Sequence, residues 1–319
     1  MTTSVLPITV PALRTADLLS IADLSRAEID SIFDTARASK ADPAAFAGAL
    51  AGKSVVLLFE KESLRTKISF EVGIARLGGL AVYHDHRDAR IGERESVSDY
   101  AKNLERWCDC IVARVYGHAV LQEMAAAARV PIINALSDLE HPCQALADML
   151  TLAEKHGAVQ GLRVAYIGDG NNVCHSLMLA CATLGASCTA ICPVGFGPDE
   201  TIISRASAIA ARTGAAIAVS ADLHAVAGHD AVYTDTWVSM GHEAEAARRH
   251  VALARYQVTP ELMDLAGKDA LFMHCLPAHR GFEVAPEVID SPRSIVFDQA
   301  ENRLHAQNAV LLHLLARSR

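Results

Sequence analysis

The chain has 319 residues, 51% of them hydrophobic and 21% charged, a composition that suits a globular protein with more than one packed core, so two domains are the natural expectation. Its 29 Lys and Arg against 37 Asp and Glu give a formal charge of −8, which excludes a general electrostatic attraction to nucleic acid or to an anionic membrane. Any anionic ligand must therefore be held by local cations, and with neither a secretory signal pattern at MTTSVLPITVPALRTADLL nor a stretch of spanning length, a cytoplasmic location is expected.

The segment SRAEIDSIFDTARAS from Ser25 carries a capping-box pattern, Glu28 three residues after the Ser, with apolar positions at Ile29, Ile32 and Phe33; it predicts an early amphipathic helix. Short β-rich runs then alternate with helical patterns: VVLLF at 55–59, AVY at 81–83, CIVARV at 110–115 and PII at 131–133, with ISFEVGIARLG and VSDYAKNLERW between them. A second series follows the helical ALADMLTLAEKHG: RVAYIG, ASCTAIC, AAIAVS, DAVYTD and ALFMHC, separated by MLACATLG and TIISRASAIAARTG. Such alternation predicts an α/β protein of two domains, each a mostly parallel sheet flanked by helices. We place the domains at 1–150 and 151–302, with the final helix pattern, 303–319, packing back on the first. Eight cysteines, at 108, 110, 143, 174, 181, 188, 192 and 275, form no paired CxxC set and read as small core residues.

Six segments carry chemistry. Phe59-Glu-Lys-Glu-Ser-Leu-Arg-Thr-Lys67 is a strand end running into a helix; Ser63, Arg65 and Thr66 at a helix N-terminus make an anion site, although Ser63 as a mere cap and Arg65 as a solvated charge explain the pattern equally well. Arg114 leaves a buried strand at its C-terminal end, where open α/β sheets bind ligands. In Asn134-Ala-Leu-Ser-Asp-Leu-Glu-His-Pro-Cys-Gln144, His141 and Gln144 are three apart and would share a helix face. RVAYIGDGNNVCHS suggests a dinucleotide turn, but Val173 stands where the third glycine of GxGxxG belongs, so the Asn171–Asn172 pair is better placed to offer amides to a small polar substrate, or simply to make a tight turn. Asp235 follows a strand and precedes a Ser239-Met240-Gly241 segment, which suits recognition of a cation by a closing loop. Phe272-Met-His-Cys-Leu-Pro-Ala-His-Arg-Gly281 again leaves a strand end; Cys275, neighbouring carbonyls and a cis-prone Leu-Pro bond make either a substrate cradle or ordinary packing.

The order and spacing of HPCQ, GDGNN, DTWVSMG and HCLPAHRG, together with Ala300-Glu-Asn-Arg303-Leu-His-Ala-Gln near the end, resemble the aspartate/ornithine transcarbamylase family, and the ornithine branch of it in particular. The resemblance spans nearly the whole chain. It implies transfer of the carbamoyl group of carbamoyl phosphate to the δ-amino group of L-ornithine, giving L-citrulline and phosphate, with no cofactor and no metal. It further implies that Ser63, Leu64, Arg65 and Thr66 hold the phosphate, that Arg114, His141, Gln144 and Arg303 bind and polarise the carbamoyl end, and that the backbone at Cys275 and Leu276 accepts from the carbamoyl amide. Asn172, Asp235, Ser239 and Met240 would form the ornithine site, with Asp235 and Cys275 toward the reacting amine. Homotrimers or multiples of trimers are implied as well, and two half-sites facing each other across a cleft.

Three positions, in two segments, depart from the family pattern. Where members commonly have Ser-Thr-Arg-Thr-Arg, this chain has Ser63-Leu64-Arg65-Thr66-Lys67, losing a hydroxyl and a guanidinium fork. Arg90 stands where His or Gln is usual and, in the family, reaches a neighbouring subunit's active site; it would supply that contact as a cation. Other amines, such as putrescine, lysine or N-acylated ornithine, and a non-catalytic ligand-binding role remain as alternatives. An anionic amino acid such as aspartate would not seek Asp235.

Overall fold

The computed structural model describes residues 10–238 and 243–315. The elements follow one another as α1 (Arg26–Ala41), β1 (Ser54–Phe59), α2 (Leu64–Arg76), β2 (Leu80–Asp85), α3 (Val97–Leu104), β3 (Cys110–Arg114), α4 (His118–Ala127), β4 (Ile132–Leu136) and α5 (Pro142–His156). A second series continues with β5 (Arg163–Ile167), α6 (Asn172–Leu184), β6 (Ser187–Ile191), α7 (Glu200–Thr213), β7 (Ile217–Ser220), β8 (Ala231–Thr234), α8 (Ala246–Leu253), α9 (Pro260–Ala266), β9 (Leu271–His274), α10 (Pro286–Ile289) and α11 (Val296–Leu315). Two compact units result, residues 1–147 with 303–319 and residues 148–302.

The first unit holds a four-stranded parallel sheet in the order β2-β1-β3-β4. β1 and β3 are central and buried, which is why VVLLF and CIVAR read as unbroken apolar runs rather than as alternating ones. Val56, Leu58, Ile111, Ala113, Leu121 and Met124 lie in one core cluster. Ahead of the sheet, α1 forms as its sequence directs: Ser25 accepts from the Glu28 amide, Glu28 reaches back to the Ser25 amide, and Ile29, Ile32 and Phe33 are buried.

The expectation that the last helix returns to this unit holds. Asn308 of α11 approaches α2 so closely that a Cβ at Gly73 would sit 2.1 Å from its Oδ1, so a larger residue at 73 would make the Asn308 side chain move. Farther along, His313 contacts the Pro11 carbonyl through Nδ1 at 2.6 Å and the Thr35 hydroxyl through Nε2 at 3.0 Å.

The second unit holds a five-stranded parallel sheet in the order β7-β6-β5-β8-β9. Its core gathers Ala165, Ile167, Val232, Phe272, Met263 and Val284. Each sheet has one place where successive connections leave in opposite directions: between β1 and β3 in the first, and between β5 and β8 in the second. Open α/β sheets bind ligands beyond the carboxyl ends of the strands at such switch points; the segments after β1, β3, β5 and β8 leave there, while those after β4 and β9 leave the adjacent outer strands. Among the described residues no helix is long and apolar enough to cross a membrane.

Candidate functional site

In the first unit the chain leaves β1 and enters α2 through Glu60-Lys61-Glu62-Ser63. Ser63 is the N-cap, its hydroxyl accepting from the Thr66 amide at 3.2 Å, so the remaining first-turn N–H groups of α2 carry the helix's partial positive charge. Thr66 is buried, whereas the Leu64 side chain is 71% exposed; what Leu64 offers a ligand is its backbone. Glu60, buried at the strand end, accepts from the Ile91 and Tyr116 amides, each at 2.8 Å, and so ties the loop after β2 to the end of β3. Sequence reasoning passed over Glu60; its signal was an acid wedged between an apolar strand and an anion loop.

Arg114 ends β3 where the pairing with β4 shifts register, Ala113 facing Asn134 and Arg114 facing Leu136, so that the extra residue, Ala135, lies on β4. Arg114 is buried, as are His141, Gln144 and Arg303. Arg303, in α11, donates from Nη1 to Gln144 Oε1 and from Nη2 to Thr66 Oγ1, both at 2.7 Å. One guanidinium fork thus joins the first turn of α2 to the first turn of α5. His141 lies just before α5, not within it, and takes the Gln144 amide on its carbonyl at 3.1 Å; the shared helix face expected for the pair gives way to a capping turn, because Pro142 opens the helix.

Burial, with the Arg303 and Arg114 guanidiniums alongside, pushes the His141 imidazole well below its ordinary pKa. At neutral pH the ring is uncharged. In the unfolded chain the ring takes a proton near pH 6.5, in the folded chain only well below that, so the unfolded state binds more protons in between. The contribution of His141 to stability is then whole above about 6.5 and is lost as pH falls from there through the folded value. His141→Gln should therefore flatten the acid side of the melting curve: the difference in melting temperature from wild type shrinks between about pH 7.5 and 5.5, and a constant difference would exclude this origin.

Of the three departing residues, Lys67 and Arg90 each lie over an aromatic ring. The Lys67 ammonium lies 3.7 Å over the Tyr83 ring, while the Arg90 guanidinium and the Lys61 ammonium lie 4.3 and 4.5 Å over Tyr116. Arg90 is thereby held two residues beyond Arg114.

In the second unit, β5 runs into the turn Gly168-Asp-Gly-Asn171. A Cβ at Gly170 would meet the Pro198 nitrogen at 2.3 Å, so the glycine serves a close backbone approach. Asn171 is the N-cap of α6, its Oδ1 accepting from the Val173 and Cys174 amides at 3.0 and 3.2 Å, and its Nδ2 donates to Asp235 Oδ2 at 2.8 Å. The side-chain amide of Asn171 is thus committed within the protein, which corrects the reading of both asparagines as substrate donors. Asn172 begins α6.

Asp235 follows β8 directly, and its Oδ1 accepts from the Thr236 amide at 2.7 Å and the Cys275 thiol at 2.9 Å. Cys275 follows β9 and is half-buried, in contrast to the other seven cysteines, which are buried. Leu276 has φ +58 and precedes a cis peptide bond to Pro277; its amide donates to His274 Nδ1 at 2.8 Å. Asp235, His274 and Cys275 bring potential metal ligands within 4.8 Å of one another. Nδ1 of His274 accepts from the Leu276 amide and Nε2 lies 3.3 Å from Glu283 Oε1, so both ring nitrogens are engaged outside the trio, in which Cys275 donates to Asp235. Ser239 and Met240 lie outside the described residues.

Residues 16–154 match the carbamoyl phosphate-binding domain of aspartate/ornithine carbamoyltransferases, and residues 160–314 match the aspartate/ornithine-binding domain of the same family. The ornithine carbamoyltransferase of Shewanella oneidensis is 50% identical over 298 residues, covering 93% of this chain and 99% of that protein. That of Pyrococcus horikoshii is 47% identical over 312 residues, covering 96% and 98%. Among solved structures, the ornithine carbamoyltransferase of Pyrococcus furiosus superposes with a TM-score of 0.92 at 45% identity, covering 98% of this chain and all of that one.

Proposed function

The chain belongs to the aspartate/ornithine carbamoyltransferase family, and within it we propose that it transfers the carbamoyl group of carbamoyl phosphate to the δ-amino group of L-ornithine, giving L-citrulline and phosphate. The observation that carries the choice of amine is Asp235, a carboxylate at the switch point of the second sheet, held by Asn171 and paired with the Cys275 thiol. An acid there attracts a cationic side chain and repels an anionic one.

The first unit binds carbamoyl phosphate. The α2 N-terminus, Ser63, the Leu64 backbone, Arg65 and Thr66 grip the phosphate; Arg114, His141, Gln144 and Arg303 take the carbamoyl end, and Arg90 adds a cation. In the second unit Asn172, Ser239 and Met240 take the amino-acid end of ornithine, Asp235 and Cys275 its amine, and the carbonyls at Cys275 and Leu276 accept amide N–H groups. The neutral amine attacks the carbonyl carbon, negative charge develops on the carbonyl oxygen, and the bond to the phosphate oxygen breaks as the tetrahedral centre collapses. The departing phosphate takes the amine proton. Neutral His141 and the arginines stabilise the oxyanion, each such donor contributing on the order of 2.7–4 kcal/mol.

The test mixes purified protein and carbamoyl phosphate with ornithine, lysine, putrescine, acetylornithine or aspartate and follows phosphate and ureido product. Ornithine alone should react. Product from another amine would reassign the substrate, and none from any would leave a ligand-binding role.

Self-association belongs to the same proposal. Leu64, Ile68 and Val72 repeat at four-residue spacing along α2 and are exposed, as are Leu80, at 59%, and Val82 on the edge strand β2, against which α2 packs. An apolar stripe beside an open strand edge is an interface pattern, and we assign a second and third copy of this chain to it. Ile68→Glu should reduce the sedimenting mass from three times 34.0 kDa to one; an unchanged mass would remove this stripe from the interface. Free thiols throughout suit the cytoplasm.

A further inference from the structure

Asp235 is held from behind by a chain of side chains that none of the substrate half-sites includes. Tyr166, wholly buried in β5 and stacked on Tyr233 with ring centroids 5.7 Å apart, donates its hydroxyl to Asn171 Oδ1 at 3.0 Å. The same oxygen takes the Val173 and Cys174 amides. With three donors converging on it, this atom is the carbonyl oxygen and not the amide nitrogen, so the side chain has one orientation only. Its NH2 group must then face Asp235 Oδ2, at 2.8 Å. Both oxygens of Asp235 are consequently engaged: Oδ2 by Asn171, Oδ1 by the Thr236 amide and the Cys275 thiol. Rotation of the carboxylate would break bonds on both sides at once.

We propose that Asn171 is a positioning residue for the transfer reaction: through an amide locked by Tyr166 and the first turn of α6, it fixes the plane of the Asp235 carboxylate and thereby the direction in which Asp235 and Cys275 meet the reacting amine. Asparagine meets both demands here. It caps α6 through its oxygen and donates to Asp235 through its nitrogen, whereas aspartate caps as well but presents an acceptor to a carboxylate, and serine caps but has no donor of that reach. Tyr166 supports the arrangement as a neutral donor across the working pH range, since burial and the nearby Asp235 push its phenol well up.

The inference rests on the amine-binding role proposed for Asp235, and the test separates the two. In Asn171→Asp the cap of α6 and the bond from Tyr166 persist, but a second carboxylate now faces Asp235, so some loss of melting temperature accompanies the loss of rate; Asn171→Ser, which adds no charge, is the stability control and should stay closer to wild type. Turnover of Asn171→Asp with ornithine should fall by roughly 10²-fold, the scale of a misplacement of about 1 Å at a reacting group, with KM for carbamoyl phosphate unchanged. Asn171→Ser, which keeps a cap and removes the donor without adding a charge, should fall less in kcat and equally spare KM for carbamoyl phosphate. Tyr166→Phe should lie between Asn171→Ser and wild type. An Asn171→Asp enzyme as fast as an active wild type overturns the proposal; so does a loss in Asn171→Ser that appears in KM for carbamoyl phosphate or in melting temperature in proportion to kcat, which would make Asn171 a structural cap alone. A wild-type protein inactive with ornithine in the same assay overturns the underlying reading and this inference with it.

Discussion

Arg303→Met should lower kcat/KM for carbamoyl phosphate by roughly 10²- to 10³-fold, the cost of removing one oriented donor from a developing oxyanion. The side chain is buried, and its two terminal nitrogens are spent on Gln144 and Thr66 at 2.7 Å each, so its removal acts twice. It deletes a cation, and it frees two groups whose orientation the fork had set. Thr66 and Gln144, both buried, would then each lack a charged partner, a loss of about 1–3 kcal/mol per group, which should appear as a lower melting temperature with or without substrate. His141 would also recover part of its basicity, because Arg303 is the foremost charge holding its pKa down. Arg303→Lys should retain some rate and little geometry, since an ammonium cannot bridge two acceptors as a planar fork does. Initial rates against carbamoyl phosphate concentration decide the matter; a methionine variant within a few-fold of wild type would remove Arg303 from the site.

That pairing also marks the limit of what the sequence alone makes legible. The α/β class and the strands themselves were readable because strands buried on both faces must be continuously apolar, as in Val55–Phe59 and Cys110–Arg114, and because capping residues such as Ser25 and Ser63 announce helix starts locally. The parallel arrangement followed from the helices between them. A bond from Arg303 to Thr66 spans 237 residues of chain, and no local period encodes such a meeting; the family resemblance brought Arg303 to attention, and geometry supplied its partners. Asn171 and Asn172 are neighbours in sequence, yet a single residue separates their fates: Asn171 caps α6 and holds Asp235, while Asn172 is the first residue of the helix. His141 was placed on a helix face when Pro142 in fact starts the helix after it. For Arg303 and Asn171 the partner that decides the role lies far along the chain; for His141 the deciding residue was next to it, since Pro142 marks the first helical position.

Asp235→Asn should lower turnover with ornithine by roughly 10²-fold, the scale of misplacing the reacting amine by about 1 Å, while leaving carbamoyl phosphate binding in place. The substitution changes no volume, which isolates charge and hydrogen-bond polarity. An asparagine at 235 can satisfy Asn171 Nδ2 only by turning its oxygen toward it, and that turns its own NH2 group against the Thr236 amide and the Cys275 thiol, which both donate in the wild type. Donor against donor on that side tilts the amide away and leaves the thiol without its acceptor. The first unit contains none of these groups, so the rise in melting temperature on adding carbamoyl phosphate, which follows RT ln(1 + [L]/Kd), should match that of wild type. A variant that still makes citrulline at a comparable rate would show that the acid serves the fold of the β8 end and not the amine. If the variant instead loses the stabilisation by carbamoyl phosphate together with turnover, Asp235 acts on both substrates, and its assignment to the amine alone is wrong.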